Sequence, residues 1–223
     1  MDIFIAINGE TVVAAGVLNS VVIVIALCLF FLIAGWFVKR ADPTKPSKGI
    51  VFLLELLVVT FEGICQSIMG VKNGRFGPFI GMLIIYLITA NLLGLFGLTA
   101  PTSNYNVTLG LAIFALTYLV GAGIASKGLG RYLKDTFVGD FPLLLPLNII
   151  GEFSKVVSLS LRLFVNILSG SMISFVLIQL AGGWLIVAMP FLNFYFDIFA
   201  GLIQTVIFCF LIMIWLEDSV AKE

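Results

Sequence analysis

The stretch Ser158-Leu159-Ser160-Leu161-Arg162-Leu163-Phe164-Val165-Asn166-Ile167-Leu168-Ser169-Gly170 sets a permanent charge inside an apolar helix. Apolar residues flank Arg162 for more than a turn on either side, and the chain around it is hydrophobic enough to live in lipid. A guanidinium stays protonated at any physiological pH, so this position cannot lower its cost by losing a proton. At bilayer depth such a charge costs at least about 2.5–3.5 kcal/mol on insertion scales. A helix that keeps it has a use for it.

Composition agrees with a membrane interior. Of 223 residues, 61% are hydrophobic and 11% charged, against about 45–50% apolar in an average globular chain. A soluble domain of this length could not hide that much apolar surface, so this is an integral membrane protein with several spans. The formal net charge is zero, and no basic surface points to nucleic acid. Cys28, Cys65 and Cys209 are far apart and sit among apolar neighbours, which reads as isolated thiols rather than a disulfide or a metal site. The chain has no histidine. It therefore lacks the commonest metal ligand and the usual general base, and any proton relay must use carboxylates, hydroxyls, amides or water. No cofactor or metal site is expected. Asp2 and Glu10 precede the first apolar run, where a cleaved signal would carry Lys or Arg.

Basic residues report the topology. A first span covers residues 16–38 and is closed by Lys39-Arg40; its length fits the roughly 20 residues that cross the hydrocarbon core. The loop Ala41-Asp42-Pro43-Thr44-Lys45-Pro46-Ser47-Lys48 is then cytoplasmic and the N-terminus outside. Residues 49–75 carry Glu55, Glu62 and Gln66 on one helical face, which fits an amphipathic helix at the cytoplasmic interface better than a span. Residues 79–98 form a span, the uncharged loop Thr99 to Asn106 is external, and a span over 107–125 returns to Lys127, Arg131 and Lys134. Residues 146–180 and 184–215 form two long helices separated by Ala181-Gly182-Gly183. Both exceed a perpendicular crossing, so they tilt strongly or lie partly across the membrane. The C-terminus is then cytoplasmic. The expected fold is an all-α integral membrane protein, one membrane domain over 1–223, with about five membrane-embedded helices plus an interfacial amphipathic helix, the last two long and strongly tilted.

Polar residues in the first long helix are ordered. Asn148, Glu152, Lys155, Ser158, Arg162, Asn166 and Ser169 follow at steps of four, three, three, four, four and three, the spacing of one helical stripe. Lipid offers no hydrogen bonds, so the stripe must face protein, water or an ion path. Ser158, Asn166 and Ser169 could each serve as helix-packing contacts, and Glu152 and Lys155 could snorkel toward an interface. Packing does not need the charge of Arg162, which reads as the fixed positive element of an ion path. The last helix offers Asn193, Asp197 and Gln204, with Asp197 and Gln204 seven apart and Ala200 and Gly201 between them. A buried Asp197 would rise in pKa and hold a proton, as a proton carrier must; a neutral Asp bonded to a backbone or Asn partner is the alternative.

These residues carry a resemblance. Ser158 to Asn166 followed by Ser169-Gly170 is similar to the signature of subunit a of F-type ATP synthases, as are Pro101-Thr102-Ser103-Asn104-Tyr105-Asn106-Val107-Thr108-Leu109 and Gly201-Leu202-Ile203-Gln204-Thr205-Val206-Ile207-Phe208. The likeness extends in order from about residue 78 to the C-terminus. It implies a stator subunit that presses two tilted helices against a rotating ring of c subunits, with two aqueous half-channels offset along the ring; a short chain without a targeting presequence suggests a bacterial inner membrane. Peripheral-stalk b subunits and membrane lipid would be its other neighbours, and the catalytic head would be reached only indirectly. Arg162 would stand between the half-channels, attract the deprotonated ring carboxylate and block leakage. Asn166 and Gln204 match polar partners of that arginine, Asp197 matches a titratable position of the outer half-channel, and Lys155 and Ser158 match further polar positions. The chain departs from the family pattern at Ser171 and Asn148, where acidic residues are frequent, and at Asn104-Tyr105. The outer path is thus poor in carboxylates, and the coupling ion is a proton or, as in some relatives, sodium.

Two other classes compete. A secondary transporter or channel subunit could use Arg162 to bind an anionic substrate, but such folds carry inverted repeats, and no internal repeat is visible. An intramembrane hydrolase on Ser171 lacks a histidine base, and Lys155 lies about four turns away. No Gly-x-x-x-x-Gly-Lys-Ser/Thr loop is present, so nucleotide chemistry belongs to partners.

Overall fold

The structure, a computed structural model, describes residues 2–40, 49–93, 100–138, 143, 145–181, 195 and 199–221. Among the described residues there are helices and no strand. In order they are α1 (Asp2–Arg40), α2 (Ile50–Met69), α3 (Gly77–Leu92), α4 (Tyr105–Lys127), the short α5 (Leu129–Leu133), α6 (Leu145–Ala181) and α7 (Gly201–Val220). A 3-10 segment, Val71–Phe76, leads into α3, another, Pro101–Ser103, precedes α4, and a π-helical segment, Lys134–Val138, follows α5. Six of these stretches are long and apolar enough to cross a membrane by length and composition. That agrees with an all-α membrane protein.

Several boundaries differ from the expected ones for a common reason. Hydropathy locates what fits in lipid, whereas a helix continues until something breaks it. α1 begins at Asp2 rather than Gly16 because no proline interrupts the polar lead. α7 runs five residues past Trp215 to Val220, since Glu217 and Asp218 do not break a helix. α3 stops at Leu92, and residues 94–98, 184–194 and 196–198 of the expected spans lie outside the described residues.

Contacts fix the directions of the helices. Ser20 on α1 shares a 2.7 Å hydrogen bond with Tyr86 on α3, and Gly16 sits against Asn104 at the start of α4. Phe31 and Leu32, further along α1, share one groove with Gly77 and Pro78 at the start of α3. α1 and α3 are therefore antiparallel, and the chain from the end of α1 to the start of α3 begins and ends at one end of the bundle. α2 belongs to that connection. It touches α3 through Phe61 against Gly81 and Glu62 against Gly77. α4 runs back antiparallel to α3, with the Tyr118 ring stacked on Phe79 at 3.5 Å between centroids. α6 reverses again, its Phe164 ring meeting Tyr105, and α7 returns to bring Asp218 beside Lys127. The Gly16 end of α1 and the Asp218 end of α7 thus lie at opposite ends of the bundle. Lys39, Arg75, Lys127, Arg131 and Lys134 all lie at the Asp218 end.

The core forms where α2, α3, α4, α6 and α7 meet, on Ile80, Leu83, Leu87, Ala112, Ala115, Leu163, Phe208, Ile212 and Leu216. Small residues let the backbones approach, as is usual where no aqueous hydrophobic drive operates between helices. A Cβ at Gly81 would stand 2.5 Å from Phe61 Cδ2, and one at Gly77 would come 3.0 Å from the Glu62 Cα. Cys65 and Cys209 are buried free thiols and Cys28 is an exposed one, as their apolar settings predict. Cys65 packs its sulfur 3.9 Å from Met213.

The basic end is tied by polar contacts. Arg75 donates to Ser126 Oγ at 3.0 Å, and Asp135 lies 3.6 Å from Lys127 and 3.8 Å from Arg131. The Arg131–Asp135 pair, exposed on both sides, contributes at most about 1 kcal/mol. The stronger fastening is Tyr132, buried where a Cβ at Gly123 would strike its ring and where the Ser219 carbonyl approaches. Burial raises the Tyr132 pKa, Glu152 and Asp218 raise it further, and hydrogen bonds to Thr136 and Ser219 oppose the rise.

Two outcomes follow. Gly81→Val should part α2 from α3 and lower stability by about 1–3 kcal/mol, read as the midpoint of thermal unfolding in detergent; an unchanged midpoint would show that this approach is not limiting. Because the folded pKa of Tyr132 lies above its unfolded value of about 10, its contribution is complete below that value and disappears as pH rises through the folded pKa. Stability of the wild type should fall above pH ~10, and Tyr132→Phe should flatten that alkaline decline.

Candidate functional site

The expected stripe on α6 separates into two sets. With about 100° per residue, positions 148, 152, 155 and 166 lie roughly 20–80° from Arg162 on one side, and 158 and 169 about 20–40° on the other. The first side is where Leu159 and Leu163 enter the core, and its polar residues are held. Asn148 donates to the Phe137 carbonyl at 3.1 Å. Lys155 pairs with Glu152 at 2.5 Å and lies 5.7 Å from the centre of the Trp215 ring, a cation–π arrangement. Asn166 donates to the Ala200 carbonyl at 3.4 Å. Glu152 and Lys155 thus turn to each other, and Lys155 also reaches α7 through Trp215.

Ser158, Arg162 and Ser169 lie on the exposed edge. Around them the surface is apolar, with Val157, Leu161, Val165 and Met172 also exposed. Among the described residues, Arg162 has neither an ion pair nor a hydrogen bond. A guanidinium presents five donors, so this side chain is directed outward to something not part of the chain's own described fold.

One turn along α6, the structure brings Asn166 and Gln204 together. Both line a cavity of about 10 Å³ together with Asn91, Ala100, Leu163, Ile167 and Gly201. Gln204 is 6% exposed, and its Nε2 is a buried donor without a hydrogen-bond partner among the described residues. Beneath it lies a polar network that the helical stripe did not reveal. Thr102 donates to Asn91 Oδ1 at 3.2 Å. Asn91 Nδ2 donates to the Gly201 carbonyl at 3.1 Å and reaches Thr205 Oγ1 at 3.4 Å. Thr205 Oγ1 donates to the same carbonyl at 2.9 Å. Asn91 was readable in principle, being the only amide side chain in Gly77–Leu92, but a neutral residue carries less insertion cost than a charge and attracts less notice. Residues 199–200 adopt π-helical hydrogen bonding where α7 begins, an irregularity frequent at functional sites.

The remaining expected residue, Asp197, lies outside the described residues, as does Asn193. Among the described residues, no group of three His, Cys, Asp or Glu could hold a metal ion. The chemistry available is thus a fixed cation on an apolar face, a carboxylate–ammonium pair toward the basic end, and amides around a small polar cavity toward the other.

Comparison with known proteins gives this arrangement its setting. The family model described as ATP synthase A chain matches residues 18–217. The chain is 34% identical to ATP synthase subunit a 2 of Acaryochloris marina over 206 residues, 91% of this chain and 86% of that protein. It is 33% identical to ATP synthase subunit a of Oceanobacillus iheyensis over 223 residues, 92% and 91% of the two chains. It is also 32% identical to ATP synthase subunit a 2 of Picosynechococcus over 213 residues, 93% and 88% of the two chains. With a match across nearly the whole membrane domain, the chain belongs to the ATP synthase A chain family, a multi-pass membrane component of the F0 sector in ATP synthesis and ion transport.

Proposed function

We propose that this chain is the stator of a rotary ATP synthase, forming two ion half-channels against a ring of c subunits and coupling translocation of protons, or of sodium, to ring rotation. The observation that carries the reading is Arg162, exposed on an apolar face and without a partner among the described residues. A charge so placed needs a mobile anionic partner, and a ring carboxylate supplies one. Moving one charge across the membrane releases about 2.3 kcal/mol per 100 mV, which a rotor captures only if ions cannot pass without turning it. Arg162 repels a passing cation and pairs transiently with each arriving carboxylate. It cannot give up its own proton and become a relay, as a lysine could.

On this reading the half-channel toward the basic end runs past Asn148, Glu152, Lys155 and Ser158. The opposite one runs past Asp197, Ser169, Asn166 and Gln204. Peripheral-stalk b subunits and lipid cover other faces, and the catalytic head is reached indirectly. The positive-inside rule puts the basic end in the cytoplasm of a bacterial cell, with the N-terminus outside and the C-terminus inside. α2 then lies at the cytoplasmic interface, since the connection containing it starts and finishes at the basic end.

Arg162→Ala in the reconstituted synthase should abolish ATP-driven pumping while hydrolysis by the head continues, and sodium dependence of the unmutated enzyme at fixed pH identifies the ion. Normal coupled pumping by the mutant would overturn the stator role. For orientation, a cysteine at Asp135 should react with an impermeant maleimide only from the cytoplasmic side, and one at Ser103 only from outside. Cysteines at Lys48 and Lys72, flanking α2, should both react from the cytoplasmic side; labelling from opposite sides would make α2 a span.

A further inference from the structure

The cavity beside Gln204 has the size and lining of a single-water site. About 10–15 Å³ is the least volume that holds one water, which also needs two to four polar partners; this cavity measures about 10 Å³, and Asn91, Asn166 and Gln204 are among the residues that line it. The buried Gln204 Nε2 has no partner among the described residues, and leaving such a donor unmet is costly. Water both donates and accepts, so it satisfies an amide in either orientation. Asn166 Nδ2 is directed to Ala200 and Asn91 Nδ2 to Gly201, which leaves the Asn166 oxygen, and the second lone pair of the Asn91 oxygen beside the Thr102 hydroxyl, as acceptors for such a water.

We propose that Asn91 is a positioning residue for ion transfer: by holding the Gly201–Thr205 turn of α7, it keeps Gln204 aimed at one water shared by Asn91, Asn166 and Gln204, a turn from Arg162. The proposal rests on the stator reading with a proton as the coupling ion. Asn91 is well made for the task. It is 6% exposed and Thr102 fully buried, and its two ends join separate parts of the fold. The oxygen receives the Thr102 hydroxyl from the loop before α4, and the nitrogen binds the carbonyl of Gly201. Gly201 fits closely against Asn91, because a Cβ there would come within 3.2 Å of Asn91 Cβ and 3.3 Å of its Nδ2, so Asn91 would have to give way by a few tenths of an ångström. None of the three amides ionises, so they can orient a proton carrier but not become one. The water accepts a proton on one side and releases another to the next acceptor on the other, ending as neutral water with no bond to the protein made or broken.

The test uses the reconstituted synthase with Asn91→Leu, Gln204→Leu, the double variant and Arg162→Ala, reading ATP-driven proton pumping, its pH profile and its ratio in H2O and D2O, with membrane content checked by immunoblot. Asn91→Leu should slow pumping roughly tenfold, the loss expected from one hydrogen bond to a buried polar group. It should also enlarge the solvent isotope ratio. The double variant should be no slower than the slower single one, because both act through the same water. Gly201→Ala, whose new methyl presses on the Cβ and amide group of Asn91, should slow pumping in the same direction as Asn91→Leu. Should Asn91→Leu fail to assemble, Thr102→Val removes only the hydroxyl on Asn91 Oδ1 and should still slow pumping several-fold with the same isotope signature. Pumping at the unmutated rate, or single penalties that multiply in the double variant, would overturn the inference. If Arg162→Ala pumps normally the stator reading itself fails; if Arg162→Ala is dead and Asn91→Leu is unaffected, only the role of Asn91 is lost.

Discussion

Lipid supplies no hydrogen bonds, and that constraint orders the whole molecule. Among the described residues, the segments apolar enough to cross a membrane are helical, and most polar side chains that face inward meet a carbonyl, a hydroxyl, an opposite charge or a ring. Asn148 finds the Phe137 carbonyl, Lys155 finds Glu152 and Trp215, and Asn91 finds Gly201. Against this rule two groups stand out. Arg162 is exposed without a partner among the described residues, and the Gln204 amide is buried without one. The first faces away from the bundle and the second faces a small cavity inside it, one turn of helix apart. Among the described residues, these are the two places where the helical bundle itself supplies no partner.

The fold was largely legible because membrane helices announce themselves by composition. Six long apolar helices were anticipated as five plus one, and α6 was placed to within a residue at each end. Where boundaries moved, the sequence held no breaker, as before Gly16 and after Trp215. The site was legible in part. Arg162 and its stripe stand out because a permanent charge and a helical period are both one-dimensional signals. The division of the stripe into a held side and an offered side is not, since it depends on which neighbour occupies each flank. Asn91, Thr102 and Thr205 were harder still. They are neutral, they come from three separate elements, and only the packing of α3 against α7 brings them together.

Close approach at glycine recurs through that packing. Gly77 and Gly81 admit α2, Gly123 admits Tyr132, and Gly201 admits Asn91. Without a water-driven hydrophobic term between helices, shape and a few buried hydrogen bonds must provide specificity. The bundle is accordingly fastened at both ends by polar groups, Tyr132 and the Asp135 pairs at the basic end and the Asn91 network at the other, with an apolar middle between them.

The exposure of Arg162 also bears on biogenesis. A copy of this chain with nothing on that face would draw water and phosphate headgroups into the bilayer around the guanidinium, thinning the membrane locally at a cost of at least about 2.5–3.5 kcal/mol. That strain is relieved only when a partner covers the apolar face and answers the charge. An unassembled copy is therefore marked by its own membrane distortion, a physical handle by which a quality-control protease could tell orphan subunits from incorporated ones.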